Sequence, residues 1–276
     1  MNQYWGYDQV PRVMNRWSKI MSILLIAVLC LLEGNSLQAA EKSPLRIMPL
    51  GDSITAGYTD NPKWAHPFEF GYRSGLYQRM KKVGYEFVFV GESKEPLNKR
   101  YGDPTHEGSV SPKLDLRKVK QDGHRGYGGW GITSIQKNVA KWIKQDRPDI
   151  ILLLIGINGI KANSSKQLDA LVKTIYQADE NVKLVVAQIT PLRKFNQNLF
   201  DYNTYIRETL VQAYVGKGYN ISTVDLYEHF LTNLDDPKSI DVARLSNRIN
   251  HPTNLLYDKM AESWFQGIES LLTNKK

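Results

Sequence analysis

Five short apolar runs, separated by amphipathic stretches, do most to constrain what this sequence can fold into. They are 45–50, 87–90, 150–155, 184–189 and 221–224. The runs are rich in β-branched and aliphatic residues, which is typical of strands buried on both faces. Because strands that alternate with helices form a parallel sheet covered on both sides, the sequence predicts a single-domain, three-layer α/β/α sandwich with a central parallel five-stranded sheet.

Helices are predicted between and after these strands. One runs from about residue 71 to 82 and stops at Gly84. Another follows the potential capping residues Ser164 and Ser165. The last carries apolar residues at four-residue spacing, namely Leu256, Met260, Trp264 and Ile268.

Two long stretches, 92–130 and 234–251, fit neither the strand nor the helix pattern. We predict that both are surface loops. Long loops within a compact domain are often functional, so substrate contacts are expected there.

The N-terminus has the pattern of a secretion signal. Basic residues precede an apolar run over 20–32, and the small residues Ala39 and Ala40 follow it. The run is shorter than the roughly 20 residues of a membrane-spanning helix. We therefore predict a signal peptide over 1–40, one domain over 41–276, a periplasmic or extracellular location, and no stable membrane insertion after signal cleavage.

Composition excludes several classes of protein. The only cysteine, Cys30, lies within the predicted signal, so the mature domain would have no disulfide and no cysteine-ligated metal. The net charge of +8 is spread along the chain without dense Lys/Arg blocks, so no nucleic-acid partner is expected.

Ser53 is a candidate nucleophile. It directly follows the first apolar run, in the glycine-flanked turn Gly51-Asp52-Ser53. Such a turn exposes the serine Oγ at the sheet edge and leaves its backbone N–H free to stabilise an oxyanion. By itself, a serine in such a turn is more often only a turn or cap residue.

The rest of the chain favours the catalytic interpretation, because four segments in order resemble the conserved blocks of the SGNH (GDSL-type) hydrolases. The first is the Ser53 turn, and the second is the glycine-rich segment 126–132, in which Gly129 matches best and Gly128 is the alternative. The third ends in Asn158, and the last is His251-Pro252. The resemblance implies a flavodoxin-like fold and no metal or organic cofactor.

The same resemblance assigns roles to these residues. Ser53 would be the nucleophile and His251 its base, while Gly129 and Asn158 would stabilise the oxyanion. One departure is Gly159, where the family usually has aspartate; it bears on loop geometry more than on mechanism.

The more serious departure is Arg248, which stands where most of the family has the aspartate that orients the histidine. Three replacements are open. The amide of Asn247, the preferred one, would act without a charge, and a backbone carbonyl would leave a Ser-His dyad. The third replacement is a carboxylate of the same loop: Asp235, Asp236 or Asp241.

The closest subgroup in sequence pattern is the acetylxylan-esterase-like carbohydrate esterases. The substrate is therefore expected to be an acylated carbohydrate, bearing O-acetyl groups, or another small ester. Aromatic loop residues could stack on sugar rings or simply pack: Trp64, Tyr101, Tyr127 and Trp130. The alternatives are a lipid esterase, an acyltransferase, or a degenerate glycan-binding protein. His124 is expected to be a solvated loop residue.

Overall fold

This computed structural model of the chain describes Met1 and residues 43–59, 70–95, 114–246 and 250–273. The chain divides into two units, Met1–Ser43 and Pro44–Lys276, and every element described below belongs to the second. Apart from Met1, the predicted signal peptide lies outside the described residues. None of the helices in the described ranges has the length and apolar character needed to cross a membrane.

The strands form one parallel sheet. Their bounds are β1 Leu45–Gly51, β2 Phe87–Phe89, β3 Arg125–Gly126, β4 Ile150–Leu154, β5 Lys183–Gln188 and β6 Ile221–Asp225. Five of them follow the predicted apolar runs to within one residue at each end, because fully buried strands leave a continuous apolar signature. The predicted α/β sandwich around a parallel sheet is confirmed.

The strand order is β2-β1-β4-β5-β6. The first half of β1 pairs with β2, with Leu45 opposite Phe87, and its last two residues pair with β3, with Gly51 opposite Gly126. The short strand β3 therefore continues the position of β2 along the same side of β1. It has only two residues, so no periodic pattern predicts it.

The helices are α1 Ser53–Ala56, α2 Tyr72–Val83, α3 Ile132–Asp146, α4 Ser164–Ala178, α5 Gln197–Tyr205, α6 Val211–Val215 and α7 Asn254–Thr273. A π-helical segment, Ile206–Leu210, joins α5 to α6. The predicted α2 ends where expected, at Gly84. The N-cap of α4 is Asn163 rather than Ser164 or Ser165, and Ser164 Oγ instead accepts from the backbone N–H of Lys161.

Helices cover both faces of the sheet. Right-handed crossovers that leave β1 toward β2 and β4 toward β5 run in opposite directions, so they carry their helices to opposite faces. Helices α2 and α7 pack together on one face, and α3 packs with α4 on the other. The central strand β4 is buried along its whole length between these layers.

The predicted loop over 92–130 is only partly a surface loop. Its described part contains β3, the fully buried Leu116, and the buried residues His124 and Arg125. The charge of Arg125 can be buried because its guanidinium forms an ion pair with Asp146, at 2.7 Å, at the end of α3.

Candidate active site

Two neighbouring strands, β1 and β4, define a crevice at the carboxyl edge of the sheet. The chain leaves them in opposite directions, which makes this the switch point of the topology, where open α/β sheets bind ligands. Gly51 and Leu154 are paired at the ends of these strands. Ser53 follows the first of them and Asn158 follows the second, so both side chains belong to this edge.

The Ser53 turn is fixed by its own cap. Asp52 is the N-cap of α1, and its Oδ1 accepts from the backbone N–H of Ile54 at 2.9 Å. As the first residue of the helix, Ser53 has a backbone N–H outside the helical hydrogen-bond pattern. The predicted turn after a strand is therefore present, the short helix α1 follows it, and Ser53 is 6% exposed.

His251 meets Ser53 across the crevice. The distance from Ser53 Oγ to His251 Nε2 is 2.8 Å. Backbone contacts fix the histidine from the preceding loop, since Ser246 N–H donates to the His251 carbonyl at 2.8 Å. On its other side the imidazole stacks on Tyr58, with ring centroids 5.9 Å apart.

Asp52 lies beside this pair as a buried acid. Burial raises the pKa of Asp52 to about 7, although the N–H of Ile54 and the charge of His251 act in the opposite direction. A carboxyl group so far from water is costly to ionise, so it tends to keep its proton near neutral pH.

The glycine-rich segment after β3 begins next to the Ser53 turn. Tyr127 N–H donates to the Gly51 carbonyl at 3.1 Å, which holds the segment against the end of β1. Gly128 donates its N–H to Glu95 Oε2 at 2.6 Å. Among the described residues, no acceptor meets the N–H of Gly129. Of the two glycines, Gly129 is therefore the one whose backbone N–H could face an oxyanion.

Asn158 follows β4 on a loop supported by a buried tyrosine. Tyr202 donates its hydroxyl to the Ile155 carbonyl at 2.8 Å, and its ring fills the space where Gly156 has no side chain. Asn158 Nδ2 donates to the Trp130 carbonyl at 3.1 Å. Gly159 has φ +76°, a left-handed conformation that strains other residues, so glycine suits the loop at this position.

The group that orients His251 is not settled by the described residues, because Asn247 and Arg248 lie outside them. Asp235 and Asp236 are exposed. Asp241 uses both carboxylate oxygens locally, for Ala243 N–H at 3.0 Å and the Arg244 guanidinium at 3.1 Å. Asp241 thus has local partners for both oxygens, and each proposed replacement for the family's aspartate stays a prediction.

His124 is not the solvated residue that the sequence suggested. It is 2% exposed, and burial, reinforced by the charge of Arg73, holds its pKa well below the usual range. Its Nδ1 accepts from Gly126 N–H at 3.0 Å, and its Nε2 lies 3.1 Å from the Glu95 carbonyl, which requires the neutral Nε2–H tautomer. His124 therefore supports the glycine-rich segment.

The aromatic loop residues divide into two groups. Trp64 and Tyr101 lie outside the described residues. Tyr127 stacks on Trp130 and Trp142, with centroids 4.5 and 5.2 Å away. Trp130 and Trp142 also stack on each other, with centroids 6.0 Å apart, so the three rings form one cluster. This favours packing over sugar binding for Tyr127.

Sequence reasoning missed two contributors, Glu95 and Tyr58. Tyr58 follows the Ser53 turn by five positions and Glu95 lies in the loop after β2, where no periodic pattern or motif marks them.

Within the described ranges, no group of three or more His, Cys, Asp or Glu side chains is arranged so that it could hold a metal ion.

The Ser53 turn, the candidate oxyanion groups and the buried His251 lie at one sheet edge, an arrangement typical of serine hydrolase sites. Comparison with known families agrees, since residues 50–259 match the GDSL-like Lipase/Acylhydrolase family. The match covers about three quarters of the chain, and the chain belongs to this family.

Individual relatives add detail. A multidomain esterase of Ruminococcus flavefaciens is 29% identical over 275 aligned residues, which cover 90% of this chain and 32% of that protein. The chain thus spans about a third of the length of this curated relative. A family 3 carbohydrate esterase of Clostridium thermocellum has a similar structure, with 26% identity, a TM-score of 0.60, and coverage of 83% of this chain and 98% of its own.

A family 3 carbohydrate esterase from Talaromyces cellulolyticus, 19% identical, shares the fold with a TM-score of 0.59 over 84% of this chain and 100% of its own. The expected resemblance to SGNH hydrolases, and within them to carbohydrate esterases and acetylxylan esterases, is confirmed.

Proposed function

We propose that this chain is an exported serine esterase that removes O-acetyl groups from carbohydrate. The observation that carries the proposal is the 2.8 Å contact between Ser53 Oγ and His251 Nε2 at the switch point of the sheet. A serine hydroxyl in hydrogen-bond reach of a buried imidazole can pass its proton to that ring as it attacks a carbonyl carbon.

The first half of the reaction acylates the enzyme. Ser53 Oγ forms a bond to the ester carbonyl carbon while its proton moves to His251 Nε2. The N–H groups of Ser53 and Gly129 and the amide of Asn158 stabilise the tetrahedral oxyanion. His251 then returns the proton to the sugar oxygen, the C–O bond breaks, and the deacylated alcohol leaves.

The second half restores the free enzyme. His251 takes a proton from a water molecule, and the resulting hydroxide attacks the acetyl-Ser53 carbonyl. Collapse of this second intermediate breaks the bond to Ser53 Oγ, which regains a proton from His251 as acetate departs. Every step uses groups of this chain and water.

The carbohydrate substrate is supported by the relatives, since solved structures of similar fold are carbohydrate esterases. Export is supported by the basic, apolar and small-residue pattern before residue 41. In cells expressing the full sequence, we expect the protein in the periplasm or medium, with a new N-terminus near Ala39 or Ala40. Retention of the full-length chain in the cytoplasm would contradict export.

The test of function compares the purified domain with Ser53→Ala on p-nitrophenyl esters of two, four and eight carbons and on acetylated xylan. Ser270→Ala is the matched control, because its hydroxyl only donates to Gly267 within α7. We expect Ser53→Ala alone to abolish turnover, with acetate esters preferred. Preference for the longest chain indicates a lipid esterase, and a folded wild type without Ser53-dependent turnover indicates a binding protein.

A further inference from the structure

Glu95 occupies a junction between the two halves of the site. A single carboxylate oxygen, Oε2, accepts from the backbone N–H of Gly128 at 2.6 Å and from the hydroxyl of Tyr58 at 2.9 Å. The first partner belongs to the glycine-rich segment, and the second stacks on His251. One side chain outside the four family blocks therefore contacts both sides of the reaction centre.

The backbone that carries Glu95 is itself fixed to the glycine-rich segment. Ser93 N–H donates to the His124 carbonyl at 3.0 Å, and Ser93 Oγ donates to the Gly126 carbonyl at 2.7 Å. The buried His124 lies 3.1 Å from the Glu95 carbonyl through Nε2. These bonds fix the backbone of the loop that carries Glu95, so its carboxylate approaches the Gly128 N–H from a defined direction.

The bond to Gly128 bears on the oxyanion donor beside it. A charge-assisted hydrogen bond fixes the direction of the Gly128 N–H, and the following peptide, which carries the Gly129 N–H, starts from the same residue. Gly129 is exposed, and a Cβ built on it would meet nothing within 4 Å. Within the segment, Trp130 N–H donates to the Tyr127 carbonyl at 3.2 Å and closes a turn over Gly128 and Gly129. The Glu95–Gly128 bond attaches this turn to the neighbouring loop, and so adds a restraint on the direction of the Gly129 N–H.

The bond to Tyr58 acts on the base. The Tyr58 carbonyl accepts from the hydroxyl of Tyr257 at 2.6 Å, which ties its backbone to α7. The Glu95 bond holds the far end of the same ring, at its hydroxyl. With both ends held, the ring forms a fixed surface for the His251 imidazole, at an interplanar angle of 28°.

We propose that Glu95 is a positioning residue for ester hydrolysis, setting the direction of the Gly129 N–H and the place of the His251 ring through one carboxylate oxygen. The inference rests on the proposed function of Ser53 and His251. It predicts that loss of Glu95 lowers kcat, because oxyanion stabilisation acts in the transition state, and leaves KM nearly unchanged.

The experiment measures kcat and KM on p-nitrophenyl acetate for Glu95→Ala and Glu95→Gln. We expect Glu95→Ala to reduce kcat roughly ten- to hundredfold, as small misplacement of catalytic groups does. Glu95→Gln should recover most of this loss, because its amide oxygen can accept both bonds. Glu92→Ala is the matched control, since this exposed glutamate contacts Arg125 and Gln145 on the outside of the loop.

Two further measurements separate positioning from folding. An arylboronic acid, which forms a tetrahedral adduct on a catalytic serine, should lose affinity for Glu95→Ala by a factor similar to the loss in kcat. Tyr58→Phe with Glu95→Ala should cost less than the sum of the two single changes, because both remove the same bond. Hydrogen exchange should accelerate in the Gly128 peptide of folded Glu95→Ala.

The outcomes distinguish the inference from the proposed function. Turnover that depends on Ser53 but is unchanged in Glu95→Ala, or a change confined to KM, overturns the inference alone. Turnover that does not depend on Ser53 overturns both. Failure of Glu95→Gln to recover activity while it folds normally also overturns the positioning role.

Discussion

Asn158 donates its side-chain amide to the main-chain carbonyl of Trp130 at 3.1 Å, and this bond joins the loop after β4 to the glycine-rich segment after β3. One amide hydrogen is used for anchoring, so the orientation of the group is fixed. The second amide hydrogen is the one that can serve an oxyanion. The two loops therefore fix each other's position, and with it the position of the amide that can serve the oxyanion.

Asn158→Ala should lower kcat by about 10²–10³ with little change in KM, the usual effect of removing one oxyanion donor. Steady-state kinetics on p-nitrophenyl acetate measures this. Asn138→Ala is the control, because its amide only donates to the Ser134 carbonyl within α3. A large rise in KM at constant kcat would mean that Asn158 binds substrate instead.

Arg73 and Arg79 lie on the same helix, α2, and their substitution should destabilise the protein by unequal amounts. Arg73 is fully buried, where burial lowers its pKa to about 10, and it donates to the carbonyls of Asp122 and Ala56 at 2.9 and 3.1 Å. Arg73→Met leaves both carbonyls unpaired and should cost about 3 kcal/mol or more.

Arg79 instead pairs with the half-exposed Asp258 at 2.7 Å, so Arg79→Met should cost about 1 kcal/mol or less. Urea unfolding of both variants tests the contrast. Equal losses in the free energy of unfolding would show that burial does not determine how much each arginine stabilises the protein.

Gly51→Ala should prevent folding or destabilise severely, because its Cβ would lie 2.0 Å from the Leu154 carbonyl oxygen in the paired strand. Gly84→Ala provides the comparison. Its Cβ would meet nothing within 4 Å, and only the left-handed φ of +90° opposes the change, at a cost of about 1–2 kcal/mol. Soluble yield and thermal unfolding should rank the two variants in that order.

Asp52→Asn should alter how stability depends on pH. Burial raises the pKa of Asp52 from 3.8 to about 7, so between these values the folded protein holds a proton that the unfolded chain has released. The free energy of unfolding therefore falls as pH rises through this window, by up to about 4 kcal/mol. Asparagine does not titrate, so it does not cause this fall. The free energy of unfolding of Asp52→Asn should therefore rise relative to that of wild type as the pH increases from 4 to 8.

Urea unfolding of both proteins across this pH range measures the difference. Parallel curves would contradict the buried, protonated carboxyl. Turnover measured at the same pH values distinguishes an effect on stability from an effect on His251, because the charges of His251 and Asp52 interact.

The strands and the site differ in how much the sequence reveals. Each of the five longer strands has an apolar run in the sequence, and the Ser53 and Asn158 turns follow such runs, so local patterns fix them. His124 was misjudged because its burial comes from close backbone approach at Gly91 and Gly123, where a Cβ would overlap neighbouring main-chain atoms. Nothing in the local sequence reports that contact.

Glu95 was missed for a related reason. It meets Gly128, which lies 33 positions further along the sequence, and only the fold brings the two residues together. The amphipathic helix α3 was also overlooked, although its buried positions Ile132, Ile135 and Val139 follow a helical period. In that case the apolar pattern is present in the sequence and suffices to predict the helix.

The hydrogen bond between Ser53 and His251 joins positions 198 residues apart, and the histidine lies directly before the last helix. During synthesis the Ser53 turn emerges early, whereas His251 emerges only after all six described strands have been made. A nascent or truncated chain can therefore build most of the sheet while lacking its base. Recovery of hydrolysis during refolding should accordingly report the docking of α7 rather than formation of the sheet.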